Sequence, residues 1–462
     1  MPTDAEPRTS PNQAFERRQL VAQVWQAGLA AVQPAQAVPR SLRCEPITWR
    51  DLPRCWLLGG GKAGAAMAQA AVQFLLEQGL PPTRLAGWLN VPAETAQPLT
   101  GVTLHPARPT GVNYPTAEAV AGTERILQLM DQVGPGELVL CLISGGGSAL
   151  LCAPAPGLTL EDKQAVTRLL HRSGADIGEM NAVRKHLSRI KGGGLTSRLA
   201  ARGPLGQRLL CLVISDVIGD PLDVIASGPT CPDPTTFADA INVLRRRGLW
   251  DETPAAARGH LEAGLAGRVA ETLKVMPRSA AGGDLAEHRL IATNAHAVAA
   301  AAAAARQRGW HVQTDTEPYA GDVHAQVRAV ARQLRDVLQG PARDAPVALI
   351  AGGEPTVVLP STPGQGGRNQ HFILGLLAEL TPTELERVTV LCAGTDGEDG
   401  PTDAAGGFAD AAAAATLAPA TVADHLRRCD AYPILAAADA LWRPGLTHTN
   451  VMDLRVAVVW PA

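Results

Sequence analysis

From about residue 55 the chain alternates short, nearly unbroken apolar runs with longer amphipathic or alanine-rich stretches. The runs "CWLLGG" (55–60), "RLAGWLNV" (84–91), "ELVLCLIS" (137–144) and "RLLCLVIS" (208–215) lack the in–out alternation of a half-exposed strand. Strands covered by helices on both faces read this way, so the pattern predicts a parallel sheet sandwiched by helices. The helix from Leu160 opens with Thr159 and Asp162 in capping-box spacing. A second helix places Ile177, Met180, Val183, Leu187 and Ile190 on one side and Asn181, Lys185 and Ser188 on the other.

Residues 251–288 carry no strong strand and finish in a proline- and glycine-containing stretch, the expected domain boundary. The alternation then restarts with strands at 289–294, 310–315, 346–354 and 389–397 and with an alanine-rich helix from about Ala295. Two α/β domains in tandem are therefore predicted, and 462 residues are ample for them.

Composition removes several partners. A net charge of −3 and an aromatic content of 3% favour neither a nucleic-acid groove nor a base-stacking surface. No apolar run approaches the roughly 18 residues of a membrane span. The opening "MPTDAEPRTSPNQ" has the pattern of neither a signal peptide nor an anchor. The eight cysteines fall singly, several inside apolar runs, as small core residues of a cytoplasmic protein do. The eleven histidines show no metal-ligand spacing.

The chemistry is concentrated in glycine-rich turns at 59–61, 145–147, 192–194, 352–353, 364–367 and 394–407. Beyond the carboxyl ends of α/β strands such turns expose backbone N–H groups to anions. "GGGKAG" (59–64) is not a Walker A loop, since Trp56 and Ala63 stand where a glycine and a hydroxyl belong. It does satisfy the dinucleotide fingerprint at Gly59, Gly61 and Gly64, but the next strand ends at Asn90 without the acid that would hold a ribose. Gly60 and Gly61 are candidate phosphate contacts, and Lys62 is a point charge aimed at an anion.

In "SGGGS" the hydroxyls of Ser144 and Ser148 flank Gly145, Gly146 and Gly147, an anion nest that misses the last glycine of a nucleophile elbow. "NAVRKHLSRIKGGGL" (181–195) offers Asn181, Lys185, Lys191 and Gly193 as phosphate ligands. In "ISDVIGDPLDVIASGPT" Asp216 stands just past a buried strand, placed to hold magnesium or to accept a proton.

With these motifs, "GGEPTVVL" (352–359), "GQGGRNQ" (364–370) and "AGTDGEDGPTDAAGG" (393–407) make the chain resemble class II glycerate kinases from about residue 50 to its end. The resemblance implies a Rossmann-like parallel-sheet domain over 1–285, a MOFRL-type α/β domain over 286–462, and an active-site cleft between them. It implies ATP-dependent phosphorylation of D-glycerate to 2-phosphoglycerate with Mg²⁺, in the cytoplasm, with a homodimer as one admissible assembly. Lys62 and Arg368 are the pair the family places in its cleft, and Asp216 is the candidate proton acceptor or Mg²⁺ ligand. Glu354, Thr356, Asn369, Asp396 and Asp403 are substrate or loop candidates, the two aspartates as Mg²⁺ ligands or as braces. Two positions depart from the family: His371 replaces an acid after "RNQ", and Glu398 takes a usually apolar place. Similar sequences have also been named hydroxypyruvate reductases, so an NAD(P)H-dependent reductase is the alternative.

Overall fold

The protein is described here by a computed structural model, which covers residues 10–109, 112, 114–203, 205–315 and 317–462. Most of the opening segment read for a targeting signal lies outside the described residues. Two compact units are present, one of Pro34–Ile291 and one made of the chain through Gln33 together with Ala292–Ala462.

The first unit is built on β1 (Cys55–Gly60), β2 (Leu85–Pro92), β3 (Val102–Arg108), β4 (Leu138–Ile143), β5 (Arg208–Ile214) and β6 (Ala286–Ala292). Their order across the sheet is β3-β2-β1-β4-β5-β6, and the pairs from β3 through β5 are parallel. Every residue of β1 and β4 is buried, which is why these runs show no alternation. The capping box on the helix Leu160–Arg172 forms as the spacing predicts.

The second unit holds a mixed sheet of β7 (His311–Thr314), β8 (Tyr319–Asp322), β9 (Val347–Thr356), β10 (Val388–Gly394), β11 (Gly406–Ala409), β12 (Leu441–Trp442) and β13 (Asp453–Val459). The order is β12-β11-β10-β13-β9-β7, with β8 also on β9. β7 and β8 run parallel to β9, whereas β13 runs antiparallel to both β9 and β10.

The expected split at 285/286 differs from this division at both ends. The run read as the first strand of the second domain is β6, on the edge of the first sheet. Residues 251–288 also belong to the first unit, where Leu273 exchanges backbone bonds with Gly192 and Asp233. Conversely, the helix Pro11–Ala31 packs in the second unit: Trp25 Nε1 donates to the Leu454 carbonyl (3.1 Å), and Arg18 forks onto Asp410 (2.6 and 2.9 Å). Gly28 permits this approach, since a Cβ there would come within 2.7 Å of Leu454 Cδ2. Among the described residues no helix is long and apolar enough to cross a membrane.

Candidate active site

The chain passes from β1 outward to β2 and β3 and then returns to place β4 on the other side of β1. β1 and β4 therefore flank a topological switch point, where the carboxyl ends of strands leave a crevice for ligands. The GGGKAG and SGGGS turns are the continuations of these two strands, and they interlock. Lys62 N–H donates to the Gly145 carbonyl (2.8 Å), and Ala63 N–H donates to Ser144 Oγ (3.0 Å). Gly61, at φ +152°, has no room for a side chain because Ser144 fills the space. Gly60 is likewise packed, its missing Cβ 2.7 Å from the Asn90 carbonyl.

Glycines 145 and 146 serve a different purpose. Gly146 adopts φ +74°, and the Lys62 stem crosses it with Cγ 3.1 Å from where a Cβ would stand. A Cβ on Gly145 would overlap the Asp216 carboxylate. Lys62 and Asp216, 154 positions apart by their numbers, thus border one glycine turn. Gly147 lets Ala226 pack on the turn, since a Cβ there would come within 2.7 Å of the Ala226 Cβ. Ala226, Ser227 and Gly228 all have left-handed φ of 52°, 62° and 60°, a costly run for two non-glycine residues and of the kind that collects at functional sites. It presents Ser227 Oγ to Ser148 Oγ (2.7 Å) and to Asn181 Oδ1 (2.9 Å), and Lys191 Nζ caps the group by donating to the Ser148 carbonyl (2.9 Å). The Asn181 amide nitrogen is buried without a partner among the described residues.

Three expected phosphate ligands are otherwise engaged. The helix read as continuing to Ile190 ends at His186, because the chain turns back onto the segment after β4 with Arg189 N–H on the Ala153 carbonyl (3.0 Å). Lys185 is 1% exposed and is held by Asp223 and Asp233, both at 3.1 Å. Burial alone would raise Asp233, but Lys185 and the Thr235 and Thr272 hydroxyls outweigh it and hold the carboxyl below its ordinary value. Lys185 is thus a buried structural cation. Gly193 gives its N–H to the Gly228 carbonyl (2.7 Å), and its lack of a side chain accommodates Leu273. Ser144 is a buried brace between the two turns. Lys185→Met should cost about 3–5 kcal/mol in urea unfolding, because it strands the fully buried Asp233 carboxylate.

In the second unit Arg368 opens the helix Arg368–Glu379 beside the ends of β9 and β13. Its guanidinium grips Asp453 bidentately (Nε 2.7 Å, Nη2 2.9 Å) and Glu354 through Nη1 (2.6 Å). Burial opposes the guanidinium charge, and the two carboxylates outweigh it and hold the group above its ordinary value. Glu354 is pushed up by burial and drawn back by Arg368, with a net rise. Thr356 lies two residues farther along β9, on the same strand face as Glu354, and is exposed.

Asn369 is buried, with its side-chain oxygen taking the Cys392 thiol (3.0 Å). Asp399 caps the helix from outside by accepting the N–H groups of Asn369 (3.1 Å) and Gln370 (2.8 Å), and Gly367 leaves the space for it. Asp403 braces Tyr432 (2.7 Å) and Arg443 (3.1 Å) at the surface, while Asp396 accepts the Glu398 N–H (3.2 Å). His371, where the resemblance implies an acid, is buried against His324 at 3.4 Å and pushed down to about 4 by burial and that neighbour.

Burial, reinforced by Asp453, lifts Asp399 from 3.8 to about 7. The folded protein therefore holds a proton that the unfolded chain releases across this window. Its contribution makes stability fall as pH rises from 3.8 to about 7. Asp399→Asn should flatten that slope in urea titrations at pH 4, 5.5 and 7 while keeping an oxygen for the helix cap. An unchanged slope would remove Asp399 as its source.

Asp453, which orients Arg368, was not among the expected residues; its only signal is one acid at the head of "DLRVAVV". Among the described residues no group of three or more histidine, cysteine, aspartate or glutamate side chains is arranged to hold a metal. A Mg²⁺ carried by nucleotide phosphates needs only one or two carboxylates, and Asp216 beside the glycine turn fits that requirement.

The chain matches two family descriptions, "Domain of unknown function (DUF4147)" over residues 20–262 and "MOFRL family" over residues 347–453. It is 34% identical to D-glycerate 2-kinase of Thermotoga maritima, over 96% of this chain and 98% of that protein. It is 36% identical to a putative hydroxypyruvate reductase of Agrobacterium vitis, over 96% and 94%. A solved structure of glycerate kinase from Thermotoga maritima superimposes with a TM-score of 0.81 at 33% identity, covering 96% of this chain and all of that one (100%).

Proposed function

Because this chain belongs to the glycerate kinase family with a MOFRL domain, we propose that it transfers the terminal phosphoryl group of ATP to D-glycerate, giving 2-phosphoglycerate in the cytoplasm. The observation that carries this reading is that Asp216 packs against Gly145 and the Lys62 stem against Gly146, in one turn at the β1/β4 switch point. Phosphoryl transfer is mainly positioning plus stabilisation of charge on the migrating group. Lys62 supplies that charge. Asp216 takes the proton leaving the glycerate hydroxyl or holds Mg²⁺. When bound, the ion neutralises charge on the phosphates.

Arg368 is already oriented within its own unit. Asp453 is fully buried and fixes two of its donors, whereas Glu354 is 41% exposed and occupies the third. In this reading the glycerate carboxylate displaces Glu354 from Nη1 and is held by a fork that the fold has preset. Lys62 of one unit and Arg368 of the other each contribute to turnover.

The reductase reading draws on the Gly59, Gly61 and Gly64 fingerprint and on the name of the Agrobacterium relative. Against it, Gly59 and Gly61 make room for β4 and Ser144. Asn90, where the ribose acid would stand, is buried and bonded to Thr123 Oγ1 and the Leu150 carbonyl. Parallel assays of D-glycerate with ATP and of hydroxypyruvate with NADH or NADPH separate the two: phosphoglycerate formation without nicotinamide oxidation supports the kinase.

A further inference from the structure

A second cluster of cations lies beside the turn, in a cavity of about 20 Å³ lined by Ser148, Lys163, Thr167, Arg184 and Lys191. Lys163 comes from the helix Leu160–Arg172 and Arg184 from the helix Ile177–His186. Lys163 and Lys191 are 7% and 3% exposed. Lys163 Nζ donates to the Leu187 carbonyl (2.7 Å), and Lys191 Nζ to the Ser148 carbonyl and to Ser227 Oγ (3.5 Å). Among the described residues no carboxylate lines this cavity, and none pairs with Lys163, Arg184 or Lys191.

Lys185 supplies the contrast. It is equally buried and follows Arg184 directly, yet the fold gives it two carboxylates. Two buried lysines and a half-buried arginine left together are unfavourable unless an anion completes them. The strain is visible in Lys163, pushed down to about 8 by burial, and in Lys191, held well below its ordinary value by burial and by Arg184 and Lys163.

We propose that the Lys163–Arg184–Lys191 cavity is a binding site for a phosphoryl oxyanion. Three donors of positive charge suit a multiply charged phosphate better than a single carboxylate. The volume exceeds what one water needs and is too small for a base or a sugar, so it takes the oxygens of a phosphoryl group alone. Ser148 and Lys191 belong both to this cavity and to the turn that Lys62 crosses. The choice of phosphate among oxyanions rests on the kinase reading above; the charge and the space do not.

The test is calorimetric titration of the full chain with inorganic phosphate at constant ionic strength, alongside thermal unfolding with and without phosphate. Wild type should bind one phosphate and gain Tm. Lys163→Met and Arg184→Gln should each weaken phosphate binding at least tenfold, and Lys163→Met should raise the phosphate-free Tm by removing a buried like charge. Unchanged phosphate affinity in both variants, or no phosphate binding by wild type, overturns the proposal. ADP arms identify the source: competition between ADP and phosphate assigns the site to the nucleotide, and independent binding assigns it to the free ion. Phosphate binding lost in the variants of a protein without kinase activity would leave the cavity standing and remove the kinase; the reverse result would do the opposite.

Discussion

Arg368→Ala should lose both activity and stability. The activity loss is expected at about 10²–10³ in kcat/KM, the scale for removing a preset donor from a developing or substrate charge. The stability loss follows from Asp453, which is fully buried and whose two oxygens both bond Arg368. Stranding a buried carboxylate costs about 3–5 kcal/mol, and the lower end applies because Arg368 is one-third exposed. A double variant, Arg368→Ala with Asp453→Asn, should recover most of the stability in urea unfolding and none of the activity. If its activity returned together with its stability, Arg368 would be a brace and the substrate contact would have to be sought elsewhere.

Lys62→Met should by itself separate the same two quantities, losing activity while keeping the fold. Methionine keeps an apolar stem to lie across Gly146, and the backbone bond to Gly145 is untouched, so unfolding should change less than in Arg368→Ala, which strands a fully buried carboxylate. The lost ammonium should nevertheless lower kcat by about 10²–10³, as expected for a charge acting on the migrating phosphoryl group. Steady-state kinetics with ATP and glycerate varied separately give the answer. A kcat within a few-fold of wild type would take Lys62 out of the mechanism.

The contrast between these variants shows what the sequence could disclose. The strands β1, β4 and β5 were legible because burial on both faces leaves an uninterrupted apolar run. The glycines of the two turns were legible too, although their purpose was not. A Gly that admits a neighbouring carboxylate, such as Gly145 for Asp216, looks in sequence like one that admits a phosphate. For the same reason Lys185 and Lys191, both in one basic segment, looked alike; the carboxylates that neutralise Lys185 lie 38 and 48 residues away.

The second unit was harder to read. β13 completes the mixed sheet between β9 and β10, but its partners precede it by dozens of residues and no local signal sets its register. The helix Pro11–Ala31 finds its partners hundreds of residues on, as the separations of 392 residues for Arg18 and Asp410 and 429 for Trp25 and Leu454 show. The run at β6 was assigned to the wrong sheet because strand pairing follows topology, not proximity along the chain.

The central claim is best tested by supplying purified protein with D-glycerate, ATP and Mg²⁺ and coupling the product directly to enolase, with no mutase present. The account predicts ATP-dependent signal, showing that the 2-isomer is made, and no oxidation of NADH or NADPH when hydroxypyruvate is offered instead. Nicotinamide oxidation without phosphoglycerate would contradict it and would mean that the turn carrying Lys62 holds a dinucleotide.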